Sequence, residues 1–241
     1  MNNSNYLRKS SITEIRTRFD QDVERFSNLE TGQQTVIDSS LSIELVTSAA
    51  SVINPSATEL LDIGCGAGNY SLRMLEKIPA LNCTLIDLSL PMLNRAKERI
   101  EQVSVGRTTL LQTDILEAGL PEEGFDIVLA GAVLHHLRDE EQWKTVFKNV
   151  YRSLKPGGSF WISDLIVHDH PALDQLFQGR YAEYLDSLGG PEYRKKVFDY
   201  IEAEDTPRSV TFQVELMRSC GFRYVDILHK NSCFATFGGV K

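Results

Sequence analysis

The sequence predicts an α/β fold: a doubly wound, seven-stranded, mostly parallel sheet with helices on both faces. Three observations carry that reading. Five short apolar runs between Glu59 and Leu165 alternate with helical stretches, and strands joined by crossover helices lie parallel and are covered on both sides. Aspartates close or follow three successive runs, at Asp62, Asp87 and Asp114. Two further strand candidates near the C-terminus are separated only by His229-Lys230-Asn231-Ser232. That link is too short for a crossover, so the pair forms an antiparallel hairpin at the sheet edge.

Composition narrows the class. With 42% hydrophobic and 24% charged residues among 241, the chain has ordinary globular usage, which excludes disordered and collagenous classes. Its 33 acidic residues against 25 basic ones give a net charge of -8, a sign that repels polyphosphate and anionic lipid. Nucleic acid is therefore a disfavoured partner. Cys65, Cys83, Cys220 and Cys233 form no C-x-x-C pair, and the start MNNSNYLRKSS has no apolar segment behind its basic residues, so the reading is a reduced, cytoplasmic chain. No apolar run approaches the roughly 20 residues that cross a bilayer, so no membrane span is expected.

Taken in order, residues 1–55 read as an N-terminal helical cap. Ile12, Ile15, Phe19, Val23 and Phe26 recur three or four apart, and Ile37, Leu41, Ile43, Leu45 and Val46 precede Pro55. Residues 56–241 read as the main domain. Its strands are expected at 60–63, 83–87, 108–111, 125–129 and 159–165, with helices at 70–77, 91–103 and 140–154. From about 168 to 207 the alternation stops. Tyr, Leu, Glu and Lys at helical spacing, interrupted by Gly189-Gly190-Pro191, predict a helical lid insertion. A helix over 209–219, closed by Gly221, then leads to strands at 222–228 and 233–237.

The most informative stretch is Leu60-Leu61-Asp62-Ile63-Gly64-Cys65-Gly66-Ala67-Gly68-Asn69. A strand ends in glycines at 64, 66 and 68 and opens a helix, where missing Cβ atoms let a ligand approach the backbone. A dinucleotide fingerprint places its third glycine at position 69, which is Asn69, so the spacing leans away from a nicotinamide oxidoreductase. Asp87 ends the next strand, 19 residues after Gly68, where a carboxylate can accept from both hydroxyls of a ribose. It can also serve, with Ser89, as a helix cap before Pro91. Asp62, Asp87 and Asp114 together mark the carboxyl edge of the sheet, where open α/β sheets bind ligands.

LDIGCGAG, the Asp87 strand end, TDIL, FDIVLAGAVLHHL and LKPGGSFWISD occur in this order over about residues 57–165 and resemble the class I S-adenosylmethionine-dependent methyltransferases. The resemblance implies the Rossmann-like fold of that family. It also implies S-adenosyl-L-methionine as cofactor, S-adenosyl-L-homocysteine as product and a small-molecule acceptor. Gly64, Gly66 and Gly68 would then cradle the methionine part, with Asp62 reaching its amino group through water and Asp87 binding the ribose. Asp114 and Ile115 would flank the adenine, Ala130 and Gly131 would line the sulfonium end, and Cys65, Leu88 and Met92 complete the expected cofactor-binding set. In-line methyl transfer mostly needs positioning and exclusion of water; a base is needed only for a protonated acceptor.

His135 and His136 follow the fourth strand and are the candidate bases, the bland reading being that one packs under the next helix. His168-Asp169-His170 lacks a third ligand at recognisable spacing, so no metal is expected. The insertion carries Phe177, Tyr181, Tyr184, Tyr193, Phe198 and Tyr200. Aromatics can enclose an apolar acceptor, so Tyr181, Tyr184 and Tyr200 are expected to face the substrate pocket.

Over the whole chain, Phe19 to Phe26, the insertion, Ser209-Val210, Cys220-Gly221-Phe222 and Cys233-Phe234 resemble the carboxy-S-adenosylmethionine synthases. These carboxylate the cofactor for tRNA modification. The likeness implies a homodimer and makes such carboxylation the alternative function. Gly66 in place of a serine, and Phe212 to Met217 without an arginine, argue against that activity. A catalytically silent cofactor-binding protein is a further alternative.

Overall fold

The computed structural model describes residues 9–28 and 32–241; residues 1–8 and 29–31 of the expected cap lie outside them. Helices α1 (Ile12–Gln21) and α2 (Val23–Ser27) come first, and α3 (Ser39–Ile53) precedes the sheet. Ser11 opens α1 with a capping box, its side chain accepting from the Glu14 N–H while Glu14 reaches back to the Ser11 N–H.

The seven strands are β1 (Glu59–Ile63), β2 (Asn82–Asp87), β3 (Thr108–Gln112), β4 (Phe125–Gly131), β5 (Leu154–Leu165), β6 (Arg223–Asn231) and β7 (Phe234–Val240). They lie in the order β3-β2-β1-β4-β5-β7-β6. Strands β1 to β5 pair in parallel, and β7 runs antiparallel between β5 and β6. The hairpin turn falls later than expected, at Ser232 and Cys233. His229, Lys230 and Asn231 stay in the strand because they pair with Thr236, Ala235 and Phe234.

Helices α4 (Asn69–Lys77), α5 (Leu90–Glu101), α6 (Glu140–Ser153) and α8 (Val210–Cys220) cover the sheet. On one face Val46 and Ala50 of α3, Met74 of α4 and Leu93 and Ala96 of α5 pack on Leu60, Leu85 and Leu129. On the other, Trp143, Phe147 and Val150 of α6 and Met217 of α8 pack on Leu61, Val128 and Phe160. Both faces of the central strands are thus buried, which is why β1 and β4 read as continuous apolar runs rather than alternating ones.

Helix α7 (Pro171–Glu204) forms the insertion. Gly190 breaks it, with φ 75° and ψ -176° just before Pro191, so the interruption read at Gly189-Gly190-Pro191 is a sharp kink. Tyr181 and Leu185 of α7 bury against Leu165, Cys233 and Phe234, a third small core beyond the carboxyl edge of the sheet.

Candidate active site

A cavity of about 740 Å³ opens at the carboxyl edge of the sheet. One wall is the glycine turn and the ends of β2 and β3. The opposite wall is α1, α2 and α7, and its floor is the turn after β4 with the end of β5.

The turn is left-handed at Gly64 (φ 63°) and Gly66 (φ 50°), a conformation that costs other residues roughly 1–2 kcal/mol. The two glycines serve different ends. A Cβ on Gly64 would lie 2.4 Å from Val133, whereas one on Gly66 would meet nothing within 4 Å. Space above Gly66 is therefore free for a ligand to lie on the backbone. Asp87 Oδ2 accepts from the Gly66 N–H at 2.9 Å, and its Oδ1 accepts from the Ser89 N–H at 2.9 Å. Burial pushes this carboxyl up to about 6, against the pull of those backbone N–H groups. Leu88, Met92, Asp114 and Ile115 line the same wall, with Asp114 Oδ1 accepting from the Leu116 N–H at 2.9 Å. These groups fit an adenosyl cofactor: a bare backbone cradle, a buried acceptor for hydroxyls and an apolar flank.

Asn69, in place of a third fingerprint glycine, ties this turn to its surroundings. Its Nδ2 donates to the Phe26 carbonyl at 3.0 Å, and its Oδ1 accepts from Arg99 at 2.8 Å.

Of the expected cofactor set, Gly64, Cys65, Gly66, Asp87, Leu88, Met92, Asp114, Ile115 and Gly131 line the cavity, and Asp62, Gly68 and Ala130 do not. Asp62 is 1% exposed and accepts from Ser71 Oγ at 2.6 Å. Burial pushes its carboxyl up to about 7, and the Asp87 charge adds to the rise. Gly68 packs beside Ala96, and Ala130 pairs with Ile63 inside the sheet. Gly131 stands against Tyr70, whose ring would lie 2.3 Å from a Cβ there. Burial pushes the Cys65 thiol well up, which suits packing rather than nucleophilic attack.

His135 and His136 both line the cavity, on a short turn (Leu134–His136) after β4. Asp164, at the end of β5, accepts from the His135 backbone N–H at 3.1 Å through Oδ2 and meets His135 Nδ1 through Oδ1. Asp205, which follows α7, brings Oδ1 to 3.7 Å from His135 Nε2 and 3.2 Å from His136 Nδ1. The two imidazoles diverge in charge. Burial disfavours charge on His135, but Asp164 and Asp205 outweigh it and carry its pKa up to about 9. For His136, burial and the neighbouring His135 charge lower the pKa despite Asp205. At neutral pH His135 holds its proton and His136 does not. Asp164 and Asp205 went unnoticed in the sequence reading; Asp164 closes the quoted LKPGGSFWISD motif, so the rule that marked Asp62 and Asp87 applies to it. No spacing links Asp205 to the histidines.

Arg18 of α1 forms the roof contact. Its guanidinium donates to both Glu204 carboxylate oxygens, at 3.0 and 2.8 Å, and to Tyr200 Oη at 2.8 Å. Tyr181 and Tyr200 line the cavity, whereas Tyr184 does not. Tyr184 donates instead to the Gln34 carbonyl at 2.8 Å, and Tyr181 to the Thr35 carbonyl at 2.9 Å, holding the segment before α3. His168 stacks on Phe177 and His170 caps α7 through Nδ1, so that histidine pair faces away from this cluster's chemistry.

Comparison with known proteins agrees with this architecture. A profile for the methyltransferase domain matches residues 60–158. The demethylmenaquinone methyltransferase of Listeria welshimeri is 29% identical over 189 residues, covering 76% of this chain and 78% of that protein. The carboxy-S-adenosyl-L-methionine synthase of Nautilia profundicola is 24% identical over 180 residues, covering 74% of this chain and 75% of that one. Among solved structures, the Burkholderia thailandensis 1,6-didemethyltoxoflavin-N1-methyltransferase, with its acceptor and S-adenosylhomocysteine bound, shares the fold. Its TM-score is 0.62 at 16% identity, with 96% of this chain and 91% of that chain covered. Motifs, sheet order and glycine cradle agree with these comparisons: residues 60–158 match the methyltransferase domain, and the chain is similar to S-adenosylmethionine-dependent methyltransferases.

Proposed function

We propose that this methyltransferase acts on a small, partly apolar molecule held between the His135–His136 turn and the aromatic side chains of α1 and α7. The observation that carries this reading is that the glycine cradle and both histidines open into one cavity. S-adenosylmethionine, when bound, supplies an electrophilic methyl group on a cationic sulfur. The chain's own residues do the rest. Phe19, Tyr181, Tyr193 and Tyr200 line the acceptor side, and such walls exclude water and fix approach. His136, neutral beside an ionised Asp205, can take the proton of a hydroxyl or ammonium acceptor. His135, charged and clamped by Asp164, holds the turn in place.

The names of the relatives support a ring-bearing acceptor, since demethylmenaquinone and didemethyltoxoflavin appear in them. The net charge of -8 disfavours nucleic acid as acceptor. Among the described residues no helix is long and apolar enough to cross a membrane. A homodimer, supported by the likeness to the carboxy-S-adenosylmethionine synthases, and a reduced compartment, supported by four cysteines without a C-x-x-C pair, complete this reading.

Calorimetry with S-adenosylhomocysteine, followed by mass spectrometry of reactions containing S-adenosylmethionine and a panel of hydroxylated aromatic and heteroaromatic acceptors, tests it. One-to-one binding with acceptor-dependent formation of S-adenosylhomocysteine is expected. Binding without transfer to any acceptor overturns the catalytic reading, and a co-purifying cofactor heavier than S-adenosylmethionine by one carboxyl group establishes the carboxylating alternative.

A further inference from the structure

We propose that His135, His136 and Asp205 bind a divalent transition-metal ion at the acceptor side of the cavity. The proposal rests on reading this cavity as the acceptor site, and four observations carry it beyond that reading.

The ligand atoms are spaced for an ion. Asp205 Oδ1 lies 3.2 Å from His136 Nδ1 and 3.7 Å from His135 Nε2, and the three groups are gathered closely enough to share one. Zinc bonds of about 2.0–2.2 Å to nitrogen and oxygen place neighbouring ligand atoms roughly 3.0–3.5 Å apart.

Two of those atoms lack any other partner. His136 Nδ1 and Asp205 Oδ1 are buried without an aligned hydrogen bond, and Asp205 is only 4% exposed. Unpaired buried polar atoms are costly, and a shared cation satisfies both at once.

His135 is already oriented as a metal ligand. Asp164 holds its Nδ1 and its backbone N–H, leaving Nε2 toward Asp205. A carboxylate on the far nitrogen is the usual support of a metal-bound imidazole.

Charge also balances. An ion that displaces the His135 proton leaves two neutral imidazoles and the two negative charges of Asp164 and Asp205, matching a divalent cation. The nearby Arg18 is forked on Glu204, Arg138 donates to the Glu204 and Ser10 carbonyls, and Lys9 donates to the Asp205 backbone carbonyl at 2.6 Å rather than to its carboxylate, so none of the three cations pairs with either carboxylate directly. Two imidazoles and one carboxylate with positions left open suit zinc or a neighbouring first-row ion and an exchangeable ligand. The matching acceptor presents an oxygen or nitrogen donor, and with the ion bound, activation of that donor passes from His136 to the metal. The sequence gives no sign of this site, because Asp205 comes from the far end of the lid, about 70 residues after the histidines.

The test is titration of the chelator-stripped full chain with zinc chloride alone by calorimetry, and with cobalt chloride by absorption spectroscopy. One equivalent of zinc is expected to bind, and cobalt should show the intensified visible bands of a low-symmetry site with nitrogen ligands. His136→Ala and Asp205→Asn are each expected to weaken zinc binding at least about tenfold, and Asp164→Asn, at a positioning residue, about 10–100-fold. His168→Ala/His170→Ala should leave zinc affinity unchanged. S-adenosylhomocysteine affinity, measured on every variant, reports folding independently of the metal. Wild-type protein that binds S-adenosylhomocysteine but no zinc, a cobalt spectrum equal to that of the hydrated ion, or loss of zinc only in the His168/His170 variant overturns the proposal and leaves the methyltransferase reading intact. Failure to bind S-adenosylhomocysteine defeats the cofactor-site reading instead.

Discussion

The Gly66 N–H donates to Asp87 Oδ2 at 2.9 Å, so the glycine turn after β1 and the end of β2 form one hydrogen-bonded unit. Asp87 therefore does two jobs: it fixes the turn, and it presents a buried acceptor to the cavity. Asp87→Ala should weaken S-adenosylhomocysteine binding at least tenfold, about 1.4 kcal/mol. It should also lower the melting temperature of the free protein, because the Gly66 and Ser89 N–H groups lose their acceptor. Unchanged calorimetric affinity would remove Asp87 from the cofactor site.

Gly64 and Gly66 separate folding from binding. Gly64→Ala drives a methyl group to 2.4 Å from Val133 and adds left-handed strain, together about 2–4 kcal/mol of lost stability. Gly66→Ala meets open space, so its folding cost is the backbone strain of about 1–2 kcal/mol, while its methyl occupies the ligand's path. Denaturant melts should rank Gly64→Ala as the less stable variant. S-adenosylhomocysteine titration should show Gly66→Ala losing more affinity than its stability loss explains. The reverse ranking contradicts the cradle.

Stability should fall with rising pH through the range set by Asp62. Folded Asp62 keeps its proton up to about pH 7 because burial opposes its charge, whereas the unfolded chain loses it in the ordinary carboxylate range. Between those limits the folded state binds more protons, so raising the pH costs stability. Asp62→Asn removes the titration. Urea melts of the cofactor-free protein from pH 5 to 8 should show the variant gaining stability relative to wild type as pH rises, levelling above about pH 7. A difference that stays flat with pH refutes the assignment.

Arg18 closes the roof. Arg18→Ala leaves Glu204, whose side chain is 8% exposed, without its cation, and uncouples α1 from the end of α7. The expected result is faster proteolysis near α1 and a raised KM for acceptor, with S-adenosylhomocysteine affinity nearly unchanged. Arg18→Lys should recover only part of this, since an ammonium cannot fork onto both carboxylate oxygens and the Tyr200 hydroxyl. Equal loss of cofactor and acceptor binding would contradict a roof confined to the acceptor side.

The legible parts of this molecule are those written in local pattern. Strand runs ending at Ile63 and Asp87, the glycine turn, the break at Gly190 and the short link before Cys233 each leave a signal within a few residues, and the fold follows from them. Asp205 and Arg18 leave none: one reaches the histidines from the end of a long lid, the other reaches Glu204 across 186 residues. Asp62 lies outside the cavity lining for a different reason. It shares the strand-end pattern of Asp87, but it sits one residue before the strand's last position, and its side chain meets Ser71 inside the sheet–helix interface.

The kinked lid and the roof helix both lie outside residues 60–158, the stretch matched by the methyltransferase profile, while the glycine turn and Asp87 lie inside it. On the proposed division of the cavity, the methyl donor is read by the inherited core and the acceptor largely by segments added to it. Lineages descending from a common ancestor can then exchange acceptors by drift in the outer segments while the donor stays the same.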